Sequence, residues 1–297
     1  MIYPKVSIII LNWNGLEDTI KCLESLKKIT YPNYEVIVVD NGSRGNDADV
    51  LEEKYKGYIN LIKNKTNLGF AEGNNIAIRK VIEGKESKYV FLLNNDTAVE
   101  PDFLDKIVEF AEHSGNKIGM FQSKILKYNN RKIIDSTGHK KYLGVVFDRG
   151  MEQEDKGQFD KKRKIFGAMG AAVLYKREML QEIGLFDRNF FAYVEDVELD
   201  FRARKIGWKA RFVPESIVYH KGGATSIQNP QLFNELLMRN TLLVVERWYS
   251  VWDKIFFTLF WSVKILINTI EVIFKLDTIK NIAQRRKIVR DKLRYIL

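Results

Sequence analysis

The first hundred residues alternate short apolar runs with amphipathic stretches. Residues 6–11 (VSIIIL) are continuous and rich in β-branched side chains, so they predict a strand buried on both faces, ended by Asn12-Trp13-Asn14-Gly15. Leu16, Ile20, Leu23 and Leu26 then recur at helical spacing. Residues 35–39 (EVIVV) predict a second buried strand, cut by Asp40-Asn41-Gly42-Ser43. A polar helix follows over 47–56, a shorter strand over 59–62, a helix over 71–83 and a fourth strand over 89–93 (YVFLL). Pro101 suits a first helical turn and opens a helix over 101–113. Alternation of helices with continuous apolar strands predicts the α/β class, a mostly parallel twisted sheet flanked by helices. In such sheets ligands bind beyond the carboxyl ends of the strands.

The pattern then changes. Residues 119–128 and 132–147 are β-rich, 148–164 read as a polar, mobile loop, and 165–175 (IFGAMGAAVLY) return to strand character with small residues. A helix is expected over 195–206, stopped by Gly207, followed by two late strands over 209–213 and 217–220. Residues 255–274 carry 14 apolar side chains of 20, enough length to span a bilayer. Lys264, Asn268, Glu271 and Lys275 nevertheless share one helical face, opposite Phe256, Leu259, Val263 and Leu266. That one-sided stripe fits a helix lying in a membrane interface, or one docked on the main domain, better than a spanning one.

Charge and cysteine content narrow the classes. The formal net charge of +10 invites a nucleic-acid partner. Residues 278–297 hold seven bases against one acid, however, so +6 of it lies in the tail and the first 225 residues carry only +4. No nucleic-acid partner is expected; clustered bases behind an amphipathic helix instead suit an anionic membrane surface. A single cysteine, Cys22, excludes a disulfide framework and a cysteine-based zinc site. The opening MIYPKVSIIILNW shows no cleavage pattern, and a reducing, cytoplasmic setting is expected. His113 and His139 carry no signal of their own.

Three acidic sites share one placement. Asp40 ends VIVVD, Asp96 ends VFLLNND, and Glu195-Asp196 open a helix after an aromatic run. Singly, Asp40 reads as a turn residue and Asp196 as a helix cap. Together they put carboxylates at the rim where an α/β sheet binds ligands. Between them, Asn67-Leu68-Gly69-Phe70-Ala71-Glu72-Gly73-Asn74-Asn75 offers backbone N–H groups and amides beside a helix start. It is neither a Walker loop nor a dinucleotide fingerprint.

The ordered blocks VSIIILNWNG, VVDNGS, NLGFAEGNN, LLNNDT, FFAYVEDVEL and YHKGG resemble the family-2 inverting glycosyltransferases, and more narrowly their rhamnosyltransferase-like branch. The resemblance spans about residues 3–226 and extends weakly to Arg239-Asn240. It implies a GT-A fold over residues 1–226, with a nucleotide-binding half over about 1–100 and an acceptor-binding half over about 101–226. Residues 227–297 then form a basic, amphipathic helical appendage. The resemblance further implies that Asn12 lines the nucleotide pocket and Asp40 accepts the pyrimidine N3–H. Asn67, Gly69 and Asn74 fall around the nucleotide and sugar. Asn94-Asn95-Asp96 stands at the family's DxD metal motif, with Asn94 in place of its first Asp. Asp196 matches the catalytic base, with Glu195 second, and His220 the late histidine that meets metal or diphosphate.

The chemistry has its own logic. An acceptor hydroxyl is a weak nucleophile, so a carboxylate must take its proton as it attacks. A leaving nucleoside diphosphate gains negative charge, which Mg²⁺ or Mn²⁺ neutralises through oxygen ligands such as Asp96, with His220 adding a nitrogen. The expectation is a hexosyltransferase at the inner face of the cell membrane. It would move a sugar, rhamnose in the branch it resembles, from a dTDP or UDP donor to a lipid-linked or cell-surface glycan. A nucleotidyltransferase on a related fold needs an early Gly-rich loop with a base, where this chain has Asn12-Trp13-Asn14-Gly15. A nucleic-acid binder needs bases spread among aromatics over the main domain.

Overall fold

A computed structural model describes residues 3–222 and 229–277, with side chains in the last helix described as far as 264 and at Leu266. The basic residues 278–297 lie outside the described residues. The chain begins β1 (Val6–Asn12), α1 (Leu16–Leu26), β2 (Tyr34–Asp40), α2 (Asp47–Lys54), β3 (Ile59–Lys63), α3 (Gly69–Gly84) and β4 (Tyr89–Leu93). It continues through β5 (Thr97–Val99), α4 (Phe103–Glu112), β6 (Ile118–Lys127), β7 (Asn130–Ser136), β8 (His139–Tyr142), β9 (Val145–Asp148), β10 (Lys164–Ile165) and β11 (Ala172–Lys176). After α5 (Arg177–Ile183) and a 3₁₀ turn (Arg188–Phe190) come α6 (Glu195–Lys205), β12 (Lys209–His220), α7 (Pro230–Trp248) and α8 (Val251–Asp277).

A central sheet runs in the order β10-β12-β6-β11-β4-β1-β2-β3. The β4-β1-β2-β3 portion is wholly parallel, β12 lies parallel to β6, and β11 is antiparallel to both β4 and β6. Continuous apolar runs make this possible because both faces of each strand are covered. Ile8, Ile10, Val36, Val38, Phe91 and Leu93 pack on one side, and Ile9, Ile37, Val39, Val90 and Leu92 on the other. Register places Asn12 beside Asp40, so the carboxyl ends of β1 and β2 finish level.

Three expectations are corrected. The two late strands are one, β12, with a register shift between Val213 and Ile217. Pro214, which has no N–H to donate, falls within that irregularity. The helix expected from Pro101 begins two residues later, at Phe103. The segment expected to be a mobile loop is tied down. The largely buried ammonium of Lys124 meets Asp155 at 2.9 Å and Asp160 at 2.8 Å, and Arg149 donates to Thr137 and Lys162 backbone carbonyls.

Beyond the sheet, Asp253 and Phe257 of α8 dock on the β8–β9 hairpin and on Tyr249. Lys141 meets Asp253 at 2.8 Å, and Phe257 sits edge-on to Tyr249. Ile255, Phe256, Leu259, Val263 and Leu266 remain exposed. No helix among the described residues is long and apolar enough to cross a membrane.

Candidate active site

The cleft, about 1400 Å³ in volume, opens at the carboxyl ends of β1 and β4. Asn94-Asn95-Asp96 and His220 line one part and Glu195-Asp196 another. It continues into an apolar arm walled by Val145, Phe147, Met151 and α7 residues such as Leu236. Asn67 and Gly69 also line it, whereas Asn12, Asp40 and Asn74 do not.

Asn12 is wholly buried. Its amide donates to Asp40 Oδ1 at 2.8 Å and Asp47 Oδ2 at 3.1 Å, and its carbonyl accepts from Thr19 at 2.8 Å. It therefore fixes the Asp40 carboxylate from below instead of facing the cleft. Asp40 also accepts from the Ser43 N–H at 3.2 Å. Asn74 sits inside α3 and donates to the Phe70 carbonyl at 2.9 Å. Asn67 accepts from the Gly69 N–H at 2.8 Å, closing an Asx turn ahead of α3. Gly69 has φ +78°, and a Cβ there would lie 2.4 Å from the Phe191 carbonyl, so only glycine fits. Glu72 is neutralised by Arg79 at 2.5 Å. Asn41 was missed by the sequence reading; it lines the cleft and joins the end of β2 to Asn64, Asn67 and Leu68.

Asp96 and His220 meet at 3.2 Å, Oδ1 to Nε2. The imidazole is turned that way by Asp135 of β7, 2.8 Å from Nδ1, an orienting contact with no sequence signal. Asn94 lies 3.3 Å from the same Nε2. Burial opposes charge on His220, but hydrogen bonds to Asp135 and Asp96 push it up to about 10. Burial pushes Asp96 the other way, yet His220 holds it below the ordinary range. The two carboxylates thus make this corner attract positive charge. No cluster of three or more His, Cys, Asp or Glu able to hold a metal ion occurs among the described residues. Asp96 and an oriented histidine fit a divalent ion that shares its shell with a diphosphate, not one caged by protein alone.

Asp196 enters the cleft from the first turn of α6, where it accepts from the Gly170 N–H at 2.9 Å. Glu195 differs. Burial, then the Asp196 charge, push its carboxyl well above the ordinary range, and its Oε2 has no partner among the described residues. Glu198 is committed to Arg202 at 2.5 Å. Of the three acids Asp196 alone is neither closed off by burial nor committed to an arginine. The loop before it is strained: Phe191, Tyr193 and Val194 have φ of 62°, 70° and 69°. Asn240 of α7 holds it, donating to the carbonyls of Phe190, Ala192 and Tyr193 at 2.8, 2.9 and 2.7 Å. The sequence pointed only weakly at this residue.

The fold and the rim of amides and acids define the GT-A type of α/β protein. Residues 7–184 match the model of glycosyl transferase family 2, more than half of the chain, and the chain belongs to that family. It is 30% identical over 236 residues to an uncharacterised protein of Sinorhizobium fredii, covering 75% of this chain and 25% of that one. It is 23% identical over 248 residues to an N-acetylglucosaminyl-diphospho-decaprenol L-rhamnosyltransferase of Mycobacterium tuberculosis, covering 77% and 80%. The crystal structure of GalNAc-T7 with UDP, GalNAc and Mn²⁺ has the same fold. The TM-score is 0.63 at 19% identity, over 86% of this chain and 50% of that one. The chain spans 25, 36 and 62% of the length of three curated relatives it matches.

Proposed function

We propose that this chain transfers a sugar from a nucleoside-diphosphate donor to an acceptor hydroxyl, inverting the anomeric carbon. The observation that carries this reading is one cleft that holds Asp96 and His220 together with an accessible Asp196. The family resemblance assigns the N3–H of a pyrimidine to Asp40, which Asn12 and the Ser43 N–H fix behind the cleft wall, and the loop through Asn67 and Gly69 shapes the approach to nucleotide and sugar. Asp196 takes the proton of the acceptor hydroxyl as its oxygen bonds to the anomeric carbon. The bond from that carbon to the diphosphate oxygen breaks, and its electron pair leaves with the nucleoside diphosphate. Asp96 and His220 would hold Mg²⁺ or Mn²⁺, which supplies neutralisation of the diphosphate charge when bound. Asp135 keeps Nε2 of His220 facing Asp96.

The donor in this reading is a dTDP or UDP sugar, and rhamnose is favoured by the named activity of the mycobacterial relative. A lipid-linked or cell-surface glycan acceptor is supported by the apolar arm of the cleft. Exposed Leu259, Val263 and Leu266 on α8, with the basic residues 278–297, support attachment to an anionic membrane surface at its cytoplasmic face.

Thermal shift against UDP, dTDP, GDP and CDP, with and without Mn²⁺, followed by donor-sugar transfer, tests the reading. Preferential stabilisation by one pyrimidine diphosphate is expected. Asp196→Asn should bind that nucleotide as the parent does and lose transfer. Indifference to all four, or normal turnover by the variant, overturns it.

A further inference from the structure

Behind Asp196 lies a buried imidazole that the reaction just described does not use. His139, at the start of β8, is 4% exposed. Its Nδ1 is 2.6 Å from Asp200 Oδ2, and Asp200, itself fully buried in α6, accepts from the Ala168 N–H at 3.1 Å with its other oxygen. The opposite ring nitrogen, Nε2, faces Asp196 Oδ2 at 3.9 Å and Asp148 Oδ1 at 3.8 Å. The ring is held on both sides of its own backbone. The His139 N–H donates to the Gly167 carbonyl at 2.9 Å, and the Phe166 N–H to the His139 carbonyl at 2.8 Å. Gly167 leaves space for this packing, since a Cβ there would lie 1.7 Å from Asp200 Oδ2. His139 carries no signal of its own in the sequence, yet the fold gathers three carboxylates around its ring.

We propose that His139 is a positioning residue for the base: clamped by Asp200, it supplies the positive charge that keeps Asp196 ionised and aimed at the acceptor hydroxyl. The inference rests on Asp196 being the base. Its physical ground is the convergence of three carboxylates, Asp148, Asp196 and Asp200, on one imidazole. Crowded like charges in a dry site force one carboxylate to take up a proton, and a nearby cation removes that pressure. A protonated Asp196 could not accept the acceptor proton. Burial works against charge on His139, but the carboxylates of Asp196, Asp200 and Asp148 outweigh it and push the ring up to about 10. Asp200 is raised by burial to about 6 and is still an anion at neutral pH. Among the described residues the nearest other cation is Arg149, beside Asp148, whose guanidinium is spent on Thr137 and the Lys162 carbonyl. Glu195 of α6 and Tyr175 of β11 are both held neutral by burial, and Asp135 adds a further negative charge felt by Asp148. Lys141, two residues along β8, is engaged with Asp253.

The test uses the full chain in two arms. In the ¹⁵N-labelled parent protein, long-range ¹H–¹⁵N spectra should show both ring nitrogens of His139 protonated at about pH 8, well above the ordinary titration of histidine. A neutral tautomer there overturns the proposal without any substitution, and does so whether or not the donor is known. In the second arm, His139→Gln removes the charge. Its expected result is an acid limb of kcat/KM displaced upward by about one to three pH units. Affinity for the nucleoside diphosphate should stay within about twofold, because the loss is confined to the transition state. An unmoved acid limb in a variant that still binds nucleotide overturns the proposal. Absence of transfer by the parent with every donor would instead strike at the role of Asp196, leaving the spectroscopic arm to judge His139. Should the Gln variant fail to fold, the spectra on the parent protein decide.

Discussion

Replacing Asn240 by alanine removes the clamp on the loop that delivers Asp196. The amide NH2 of this buried side chain directs its two hydrogens at three carbonyls, those of Phe190, Ala192 and Tyr193, at 2.8, 2.9 and 2.7 Å. A net value of about 1 kcal/mol for each donor gives roughly 2 kcal/mol. Against this stands the strain of three non-glycine residues at positive φ, Phe191, Tyr193 and Val194, at about 1–3 kcal/mol apiece. The strain is at least as large as the clamp's contribution, so the loop has no reason to keep its shape once the clamp is gone. At about 2.1 cal/mol/K per residue, about 2 kcal/mol corresponds in a chain of 297 residues to a Tm loss of roughly 3 °C. Because Asp196 lies only two residues beyond Val194, the last of the strained three, kcat should fall by at least about tenfold while donor binding changes less. Asn240→Asp keeps the volume but turns a carboxylate oxygen toward three carbonyls, so it should be worse than alanine. Thermal unfolding and initial rates on the parent and both variants measure this. A Tm loss below about 1 °C with unchanged kcat, or an Asp variant more stable than the Ala variant, would show that the clamp does not hold the loop.

Two further outcomes are expected. Asp40→Ala should weaken pyrimidine nucleoside-diphosphate binding by about 10- to 100-fold, the worth of a hydrogen bond to a charged group, read by calorimetry. Equal affinity in the variant would remove Asp40 from base recognition. Deletion of residues 278–297 should lower flotation with anionic vesicles, and binding by the parent should weaken as salt rises. Flotation that is unchanged by truncation or salt would argue against tail-borne attachment.

Much of the fold was written locally. The runs at 6–11, 35–39 and 89–93 are long, apolar and β-branched, and each became a strand covered on both faces. Asp40 and Asp96 were visible because a carboxylate at, or three residues after, the end of such a run has few places to go except the rim of the sheet. The errors occurred where sequence-local polarity misleads. Residues 148–164 look solvated, but Lys124, more than twenty residues upstream, recruits Asp155 and Asp160. His139 looks ordinary until Asp200, 61 positions later, is brought to 2.6 Å from its ring.

What the sequence determined by itself was the α/β alternation, the family motifs and the acids at the strand ends, all set by residues within a few positions of one another. The tertiary structure decided how the three acids of α6 differ. It buried Glu195, tied Glu198 to Arg202, and left Asp196 open with His139 behind it. It also turned His220 toward Asp96 through Asp135 and clamped the strained loop through Asn240. These depend on partners 85 and 50 positions apart. A buried charge or a bent backbone is stabilised by whatever the fold packs against it, and that packing is not encoded in any one stretch of chain.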